Sequence, residues 1–391
     1  MGNDEITVRA PITADAVVIG GGVIGLSIAR ELMGAGVGRV VIVERGELGH
    51  AASHAAAGML APQAEANERD GFFRLAHESR RIYAAFAAEL QEETGVDIEL
   101  DETGILYFAF TEKDDDELAR RFAWQAAAGL AVERLTTQEI LRREPHISPA
   151  VRGALFFPED GQVENRRLTY ALAASCAKRG VTLLTETEVL RIETSGESAT
   201  ASSGVRAVVT SRGRISTELV IVAAGAWASE FNGRDSRAFT IEPVRGQMLC
   251  FTATPPIVRH VIYSPRAYLV PRRDGRLLVG ATVERAGFDV RVTAHGLHTL
   301  TGGALEISAH IGDLPFREAW AGLRPYAPDG LPVIGRSPRI NGVIFATGHY
   351  RNGILLAPIT ARLVRQLVTT PTATPELLHG FSPDRFPNVA R

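Results

Sequence analysis

Lysine is almost missing from this chain. Lysine and arginine together number 42, and only Lys113 and Lys178 are lysines. A pyridoxal-phosphate enzyme needs a lysine for its Schiff base, so this scarcity argues against that chemistry. Cysteine is equally scarce: Cys176 and Cys250 make neither a disulfide framework nor a zinc site. Both read as small core residues, which fits a cytoplasmic protein. No apolar run reaches membrane-spanning length, and the polar, mixed stretch 1–14 has no signal-peptide pattern. A net charge of -3 gives no global argument for nucleic acid or a membrane surface as partner. Neither an internal repeat nor a low-complexity linker is visible. What remains is an ordinary globular composition in 391 residues, long enough for two domains with large cores.

The most informative stretch runs from Asp15 to Glu44. Ala16 to Ile19 is a β-branched run with no breaker and reads as a buried strand. Gly20, Gly22 and Gly25 follow in G-x-G-x-x-G spacing. Ile24, Leu26, Ile28 and Leu32 then supply the apolar positions of a helix that stops near Gly34 and Gly36, with Val23 and Ile24 at its start as candidate cofactor contacts. Val40 to Val43 is a second buried strand, ending on Glu44. Each piece has a physical role. Gly20 lets the chain turn off the strand, Gly22 lets a pyrophosphate approach the backbone, and Gly25 lets the helix pack close. The helix start offers free N–H groups and partial positive charge to phosphates. Glu44 ends the second strand about twenty residues on, where a carboxylate binds both ribose hydroxyls. An unphosphorylated ribose is thereby favoured: FAD or NAD over NADP.

After Arg45, the run His50-Ala-Ala-Ser53-His54-Ala-Ala56-Ala57-Gly58-Met59 is made of tiny residues. It fits backbone lying against a flat ligand and fits a tightly packed loop equally well. Ser53 is a candidate donor to phosphate or flavin; His54 alone is a poor one. Residues 70–93 read as one amphipathic helix, and Ile98–Leu100 with Ile105–Phe110 as paired strands. Asp114–Ala128 reads as a charged helix. Its acidic start complements the helix dipole rather than marking a metal site. A short helix over Leu135–Arg143, a strand over Ala154–Phe157, a helix over Leu168–Arg179 and a strand over Val181–Thr185 follow. Val205–Thr210, Gly213–Ile215 and Leu219–Ala223 alternate like a meander whose last run should return to the nucleotide sheet. Ala267–Pro271 and Leu277–Thr282 form a hairpin around Arg273-Asp274-Gly275, and a helix follows over about 294–310. Val343–Ala346 is a buried strand, and a helix runs from about Gly353 to Val368. The expected class is α/β (α+β). A Rossmann-like nucleotide domain, discontinuous in sequence (1–85, 150–230 and 320–391), carries an inserted antiparallel β-rich substrate domain (86–149 and 231–319).

Four motifs together resemble the D-amino-acid-oxidase family of FAD enzymes, over nearly the whole chain. They are the glycine motif with Glu44, Ala223-Ala224-Gly225-Ala226-Trp227, Arg245-Gly246-Gln247, and Ala346-Thr-Gly348-His349-Tyr350-Arg351-Asn352-Gly353. The likeness is greatest to the family's glycine-oxidising branch of thiamine biosynthesis. It is carried there by Tyr268 to Thr282, by Ala321-Gly-Leu-Arg324-Pro-Tyr326 and by Gly348 to Pro358. The resemblance implies oxidation of glycine, or of sarcosine or small D-amino acids, at the α-carbon. Hydride would pass to the flavin, and the imine would go on to an oxo acid and ammonia or feed thiazole synthesis. Oxygen would act as acceptor, with hydrogen peroxide as product. It also implies a homo-oligomer (dimer or tetramer) and a thiazole-building enzyme as partner.

No protein nucleophile or acid–base residue is expected, because flavin carries the redox work and the protein positions the substrate. Arg324 resembles the family's carboxylate-binding arginine, suited to a bidentate grip. Tyr268 resembles a tyrosine that adds a hydrogen bond to that carboxylate, and Arg351 a second active-site arginine. Val189 resembles the backbone contact to the adenine end of FAD. A loop and helix start over Gly348, His349, Tyr350, Arg351, Asn352, Gly353 and Ile354 would aim N–H groups at the flavin, where reduced flavin carries negative charge. Some relatives tether flavin through a cysteine near the Arg324 segment; none stands here, so FAD is expected to be non-covalent. The competing expectations are a D-amino-acid dehydrogenase or a sarcosine- or proline-type oxidase of the same fold. Of another class are a NAD-dependent dehydrogenase and a nucleotide-binding protein without turnover.

Overall fold

A computed structural model describes residues 12–195, 203–232, 239–370, 372 and 374–386. Most of the polar stretch 1–14, on which the signal-peptide reading rests, therefore lies outside the described residues.

The nucleotide sheet has six strands in the order Val333–Arg336, Val343–Thr347, Val220–Val222, Ala16–Ile19, Val40–Val43, Thr182–Leu184. All neighbours are parallel except the first pair. Parallel strands covered on both faces read as unbroken apolar runs, and these do. Alternate residues serve two cores. Ala16, Val18, Val40 and Ile42 pack under the helices Val23–Gly34, Asn165–Lys178 and Gly353–Thr369. Val17, Ile19, Val41 and Val43 face the meander of Val189–Thr194, Ser203–Thr210 and Gly213–Ser216. Each such fully buried valine or isoleucine contributes roughly 1.5–3 kcal/mol.

The second sheet has eight strands: Phe316–Tyr326, Glu242–Thr252, Arg276–Gly280, Tyr268–Pro271, Val261–Tyr263, Ile105–Ala109, Gly153–Phe157 and Glu133–Thr136. The hairpin pairs Tyr268 with Gly280, as the turn residues suggested. One face packs on the helix Ala294–Ile307 through Leu249, Leu277, Val279, Leu300 and Ala304. The other face turns Met248 and Leu278 toward the site, with Tyr268 packed against them. Two of the expected divisions do not follow the sheets. Gly153–Phe157, expected in the nucleotide domain, pairs with Ile105–Ala109. Phe316–Tyr326, expected to be split at 319/320, pairs along its length with Glu242–Thr252.

Local departures have physical causes. The helix expected over 70–93 is two, Gly71–Arg81 and Tyr83–Thr94, meeting at Ile82. Their junction places the Ser79 and Tyr83 hydroxyls on the Leu355 and Ile354 carbonyls, at 2.6 and 3.0 Å. Ile98–Leu100 does not pair with Ile105–Ala109. Its neighbour is 162–164, through Glu164 N–H to Ile98 O (2.9 Å) and an Asp101–Gln162 bridge. Leu135 lies in a strand, Glu133–Thr136, ahead of the helix Thr137–Arg143. The acidic helix starts at Glu112, and Asp114 closes a capping box with Thr111, so its carboxylate has a structural partner.

Candidate functional site

A cavity of about 530 Å³ lies between the two sheets, within the roughly 300–1,000 Å³ of typical ligand pockets. Its lining contains Gly20, Gly22, Val23, Ile24, Glu44, Arg45, Ser53, Ala56, Ala57, Gly58, Met59 and Val189 from the expected set. Ala224, Gly225, Trp227, Tyr268, Arg324, His349, Tyr350, Arg351, Asn352, Gly353 and Ile354 line it too. Gly25 and Gly348 do not; they support the wall from behind.

The three glycines of the motif differ in what demands them. A Cβ on Gly20 (φ +109°) would collide with the Ala223 carbonyl, and one on Gly25 with the Gly20 carbonyl. The protein itself requires those two. A Cβ on Gly22 would meet only Ser53 Oγ, at 3.2 Å, and would otherwise point into the cavity. Only a ligand crossing there explains that glycine. The helix that follows has no side-chain cap, and Ser53 Oγ accepts one of its N–H groups, from Val23, at 3.0 Å. Glu44 is aimed by two backbone donors, Gly21 N–H at 2.7 Å and Gly46 N–H at 3.0 Å. Beside it Arg45 lies 3.6 Å over the Trp227 ring, which stacks on Phe288. This is a nucleotide cradle with a carboxylate for ribose hydroxyls and an open helix start for phosphates. It fits a dinucleotide.

The run of tiny residues satisfies both of its readings. Ala52, Ala55, Ala56, Ala57 and Gly58 line the cavity, while Ala55 packs so tightly on Gly322 of the second sheet that no Cβ fits there. His54 is not in the lining; it stacks on His50 at 4.9 Å.

At the other end two side chains lie flat across glycines. A Cβ on Gly246 would strike the Arg324 guanidinium, and a Cβ on Gly280 the Tyr268 ring. Arg324 Nη1 donates to the Thr282 carbonyl at 3.0 Å and the Arg245 carbonyl at 3.5 Å. Among the described residues it has no carboxylate ion pair. The Tyr268 hydroxyl lies 3.0 Å from Met248 Sδ. Burial raises its pKa against the opposing pull of Arg324 and Arg351, so it stays a neutral donor. Arg245 and Gln247, either side of Gly246, bind Glu284 and so fix the loop after Gly280.

The loop 348–352 is tied to the Arg324 strand by Tyr350 N–H to Pro325 O (3.0 Å). Thr347 Oγ1 donates to Gly225 O at 2.9 Å, joining it to the nucleotide sheet. The helix Gly353–Thr369 starts without a side-chain cap and borders the cavity. The imidazole of His349 makes its contact with Thr360 Oγ1 (3.0 Å), and burial pushes its pKa down to about 3. It is a neutral structural group that presents backbone to the site.

The sequence reading missed Glu65, Tyr107 and Tyr263, which share this end of the cavity. The Tyr263 ring packs edge-on against Tyr107 at 5.0 Å and parallel to Tyr268 at 6.4 Å. Arg351 Nη1 lies 3.5 Å from the Tyr263 hydroxyl. Burial raises the Glu65 pKa, opposed first by Arg351, then by the Asn352 side chain and by Arg324. Arg351 is an exposed residue; partial desolvation of its guanidinium opposes its charge, while Tyr263, Glu65 and Tyr350 together favour it, and its pKa is raised. No short motif marks these residues. Tyr107 and Tyr263 meet only because their strands pair in parallel, Tyr107 opposite Tyr263.

Comparison with known proteins agrees with this geometry. The FAD dependent oxidoreductase family (DAO) matches residues 15–367. Glycine oxidase of Geobacillus kaustophilus (strain HTA426) is 39% identical over 356 residues, 90% of this chain and 92% of that protein. The bifunctional protein ThiO/ThiG of Synechocystis sp. is 37% identical over 379 residues, 96% of this chain but 54% of that longer protein. The crystal structure of glycine oxidase from Geobacillus kaustophilus superposes with a TM-score of 0.90 at 37% identity, covering 96% of this chain and 100% of the other.

Proposed function

Because the chain belongs to the FAD dependent oxidoreductase family, we propose that it oxidises glycine, and small relatives such as sarcosine, to the imine. FAD, when bound, would supply the two-electron redox chemistry by which the amine and oxygen give the imine and hydrogen peroxide. The protein's part is to place the substrate. One observation carries the reading: Arg324 is a half-buried guanidinium held by backbone carbonyls, without a protein carboxylate, in a cavity continuous with the nucleotide cradle. A charge held there without a partner is costly unless a ligand carboxylate meets it, and a fork-shaped cation grips one through two parallel bonds. Tyr268 adds a neutral donor to the same carboxylate. The aromatic walls of Tyr107 and Tyr263 and the thioether of Met248 keep the amine end dry.

The cofactor roles follow the lining. Glu44 takes the ribose, Gly22, Val23, Ile24 and Ser53 the pyrophosphate, Val189, Arg45 and Trp227 the adenine end. Ala56 to Met59, with the loop His349 to Ile354, take the flavin, whose reduced form the helix start would stabilise. The flavin is non-covalent, since neither Cys176 nor Cys250 borders the cavity. The imine is handed to a thiazole-building enzyme, a step made plausible by the fused architecture of the cyanobacterial relative. Among the described residues no helix is long and apolar enough to cross a membrane, and we place the enzyme in the cytoplasm.

The test is the absorption spectrum of the purified protein before and after glycine without oxygen. A flavin spectrum that glycine bleaches is expected. A flavin bleached by sarcosine or a larger D-amino acid but not by glycine would keep the family and overturn the substrate.

A further inference from the structure

Three tyrosines form a row along one wall of the cavity. The Tyr268 ring lies 6.4 Å from that of Tyr263, and Tyr263 lies 5.0 Å from Tyr107. They come from three neighbouring strands, Tyr268–Pro271, Val261–Tyr263 and Ile105–Ala109. Tyr268 stands at the Arg324 end, so Tyr107 stands at the end remote from the carboxylate site. Ala61 and Glu65 border the same cavity from a segment that is neither helix nor strand. Gln63 and Ala64 within it are wholly buried, so their main-chain groups need partners inside the protein.

The helix Glu112–Ala127 supplies those partners from two residues one turn apart. Gln125 Nε2 donates to Gln63 O at 3.0 Å. Arg121 Nη1 donates to Ala64 O at 2.9 Å and to Ala66 O at 2.5 Å, and its Nη2 donates to Asn67 Oδ1 at 2.6 Å. Asp160, wholly buried, accepts the N–H groups of Gln63 and Ala64 at 3.1 and 2.8 Å. The guanidinium that holds the segment also lies 5.1 Å over the Tyr107 ring, within cation–π reach. Arg121 is 7% exposed and does not itself line the cavity. One buried side chain therefore ties together the far tyrosine and the segment that carries Ala61 and Glu65.

We propose that Arg121 is a positioning residue that sets substrate size: it fixes the far wall and so limits how far a ligand extends from Arg324. The proposal rests on reading the Arg324 end as the carboxylate site. A wall made of irregular chain is only as definite as its ties, and irregular segments are where proteins open locally. A planar fork with five donors holds several carbonyls and a ring face at once; a lysine ammonium lacks that geometry. With the wall held, a carboxylate ligand anchored at Arg324 runs along the tyrosine row and meets Tyr107. With the wall released, a longer chain fits.

The test uses the FAD-loaded enzyme and straight-chain carboxylates that lack an amine: acetate, butyrate and hexanoate. Their dissociation constants are read from the shift of the flavin spectrum. Arg121→Met should tighten hexanoate relative to acetate at least five-fold, with butyrate between them. In turnover, kcat/KM for N-butylglycine relative to glycine should rise by a similar factor. Arg121→Lys keeps the charge and one donor but loses the fork. It should move the ratio the same way by at least two-fold, and it carries the test if Arg121→Met does not fold. Tyr107→Ala removes the wall directly and should also raise the ratio, and adding Arg121→Met to it should give less than the product of the two changes. An unchanged hexanoate-to-acetate ratio in the Arg121 variants, or weaker binding of all three ligands by a common factor, would overturn the proposal and leave Arg121 a purely structural residue. Loss of acetate binding in Arg324→Ala reports separately on the carboxylate site.

Discussion

Arg30 and Arg324 are both withdrawn from solvent, and they are treated in opposite ways. Arg30, 2% exposed, sits under the nucleotide sheet's helices. Its guanidinium reaches Glu93 at 3.0 Å and Ser175 at 2.9 Å, and Arg179 grips the same carboxylate at 2.6 Å. Arg324, in the second sheet, meets two carbonyl oxygens and the Tyr268 hydroxyl, and among the described residues it has no carboxylate. Burying a charge is tolerable when a partner and hydrogen bonds repay its lost hydration. The first site is finished within the chain. On the proposed reading, the second is completed by the substrate carboxylate. The contrast separates a structural arginine from a binding one better than either residue's position in a motif.

The largest expected effect tests the unfinished site. Arg324→Ala should lower kcat/KM for glycine by on the order of 30- to 5,000-fold, matching roughly 2–5 kcal/mol for one partner of a buried charged pair. A fall of less than three-fold would mean the substrate carboxylate lies elsewhere. The finished site should answer in stability instead. Glu93→Gln leaves Arg30 only the longer contact to the exposed Glu89, at 3.5 Å, and should cost about 3 kcal/mol in denaturant unfolding. Activity per folded molecule should be unchanged within two-fold.

The same network predicts an acid limb. Burial works against the Glu93 charge, but bonds from Arg179, Ser175 and Arg30 outweigh it and bring the pKa down to about 2. A carboxylate with a depressed folded pKa contributes stability above its unfolded value, and loses it as pH falls through the folded one. Wild-type stability should therefore drop between about pH 4.5 and 2, and Glu93→Gln should lack that component. The smallest effect concerns the nucleotide end. Trp227→Ala removes the ring under Arg45 and should weaken FAD about 3- to 30-fold, the equivalent of roughly 0.5–2 kcal/mol for a cation–π contact.

The two ends of the cavity also differ in how much of them was legible in the sequence. The nucleotide end is built from local structure: a strand, a glycine turn, a helix and a second strand within thirty residues. Buried parallel strands read as plain apolar runs, so even the remote members Val220–Val222 and Val343–Thr347 stood out. The substrate end is assembled from partners far apart in the chain. Arg324 was marked only by family resemblance. Gly246 entered only through the Arg245-Gly246-Gln247 motif and Gly280 only within a hairpin, and the side chains that cross them leave no local pattern. Glu65 sits in a loop with no periodicity, aimed by neighbours that join Asp160, where Gln63 and Ala64 donate their N–H groups at 3.1 and 2.8 Å. The errors in secondary structure have the same origin. The alternation of Ile98 and Leu100 reflects packing on 162–164, not a hairpin. Glu133–Thr136 is a polar edge strand with a single buried residue, too weak a pattern to register. Ile82 breaks a helix without glycine or proline, because the chain there bends to meet the C-terminal helix.

The central claim is that the cofactor and the substrate carboxylate are held by separate parts of one cavity, with Arg324 serving the second alone. The direct measurement is a pair of dissociation constants on Arg324→Ala, for FAD with the apoprotein and for acetate with the FAD-loaded form. The account predicts FAD affinity within about two-fold of wild type and loss of acetate binding on the scale of roughly 2–5 kcal/mol. Weakened FAD with acetate affinity preserved would contradict it and reassign the arginine to the cofactor.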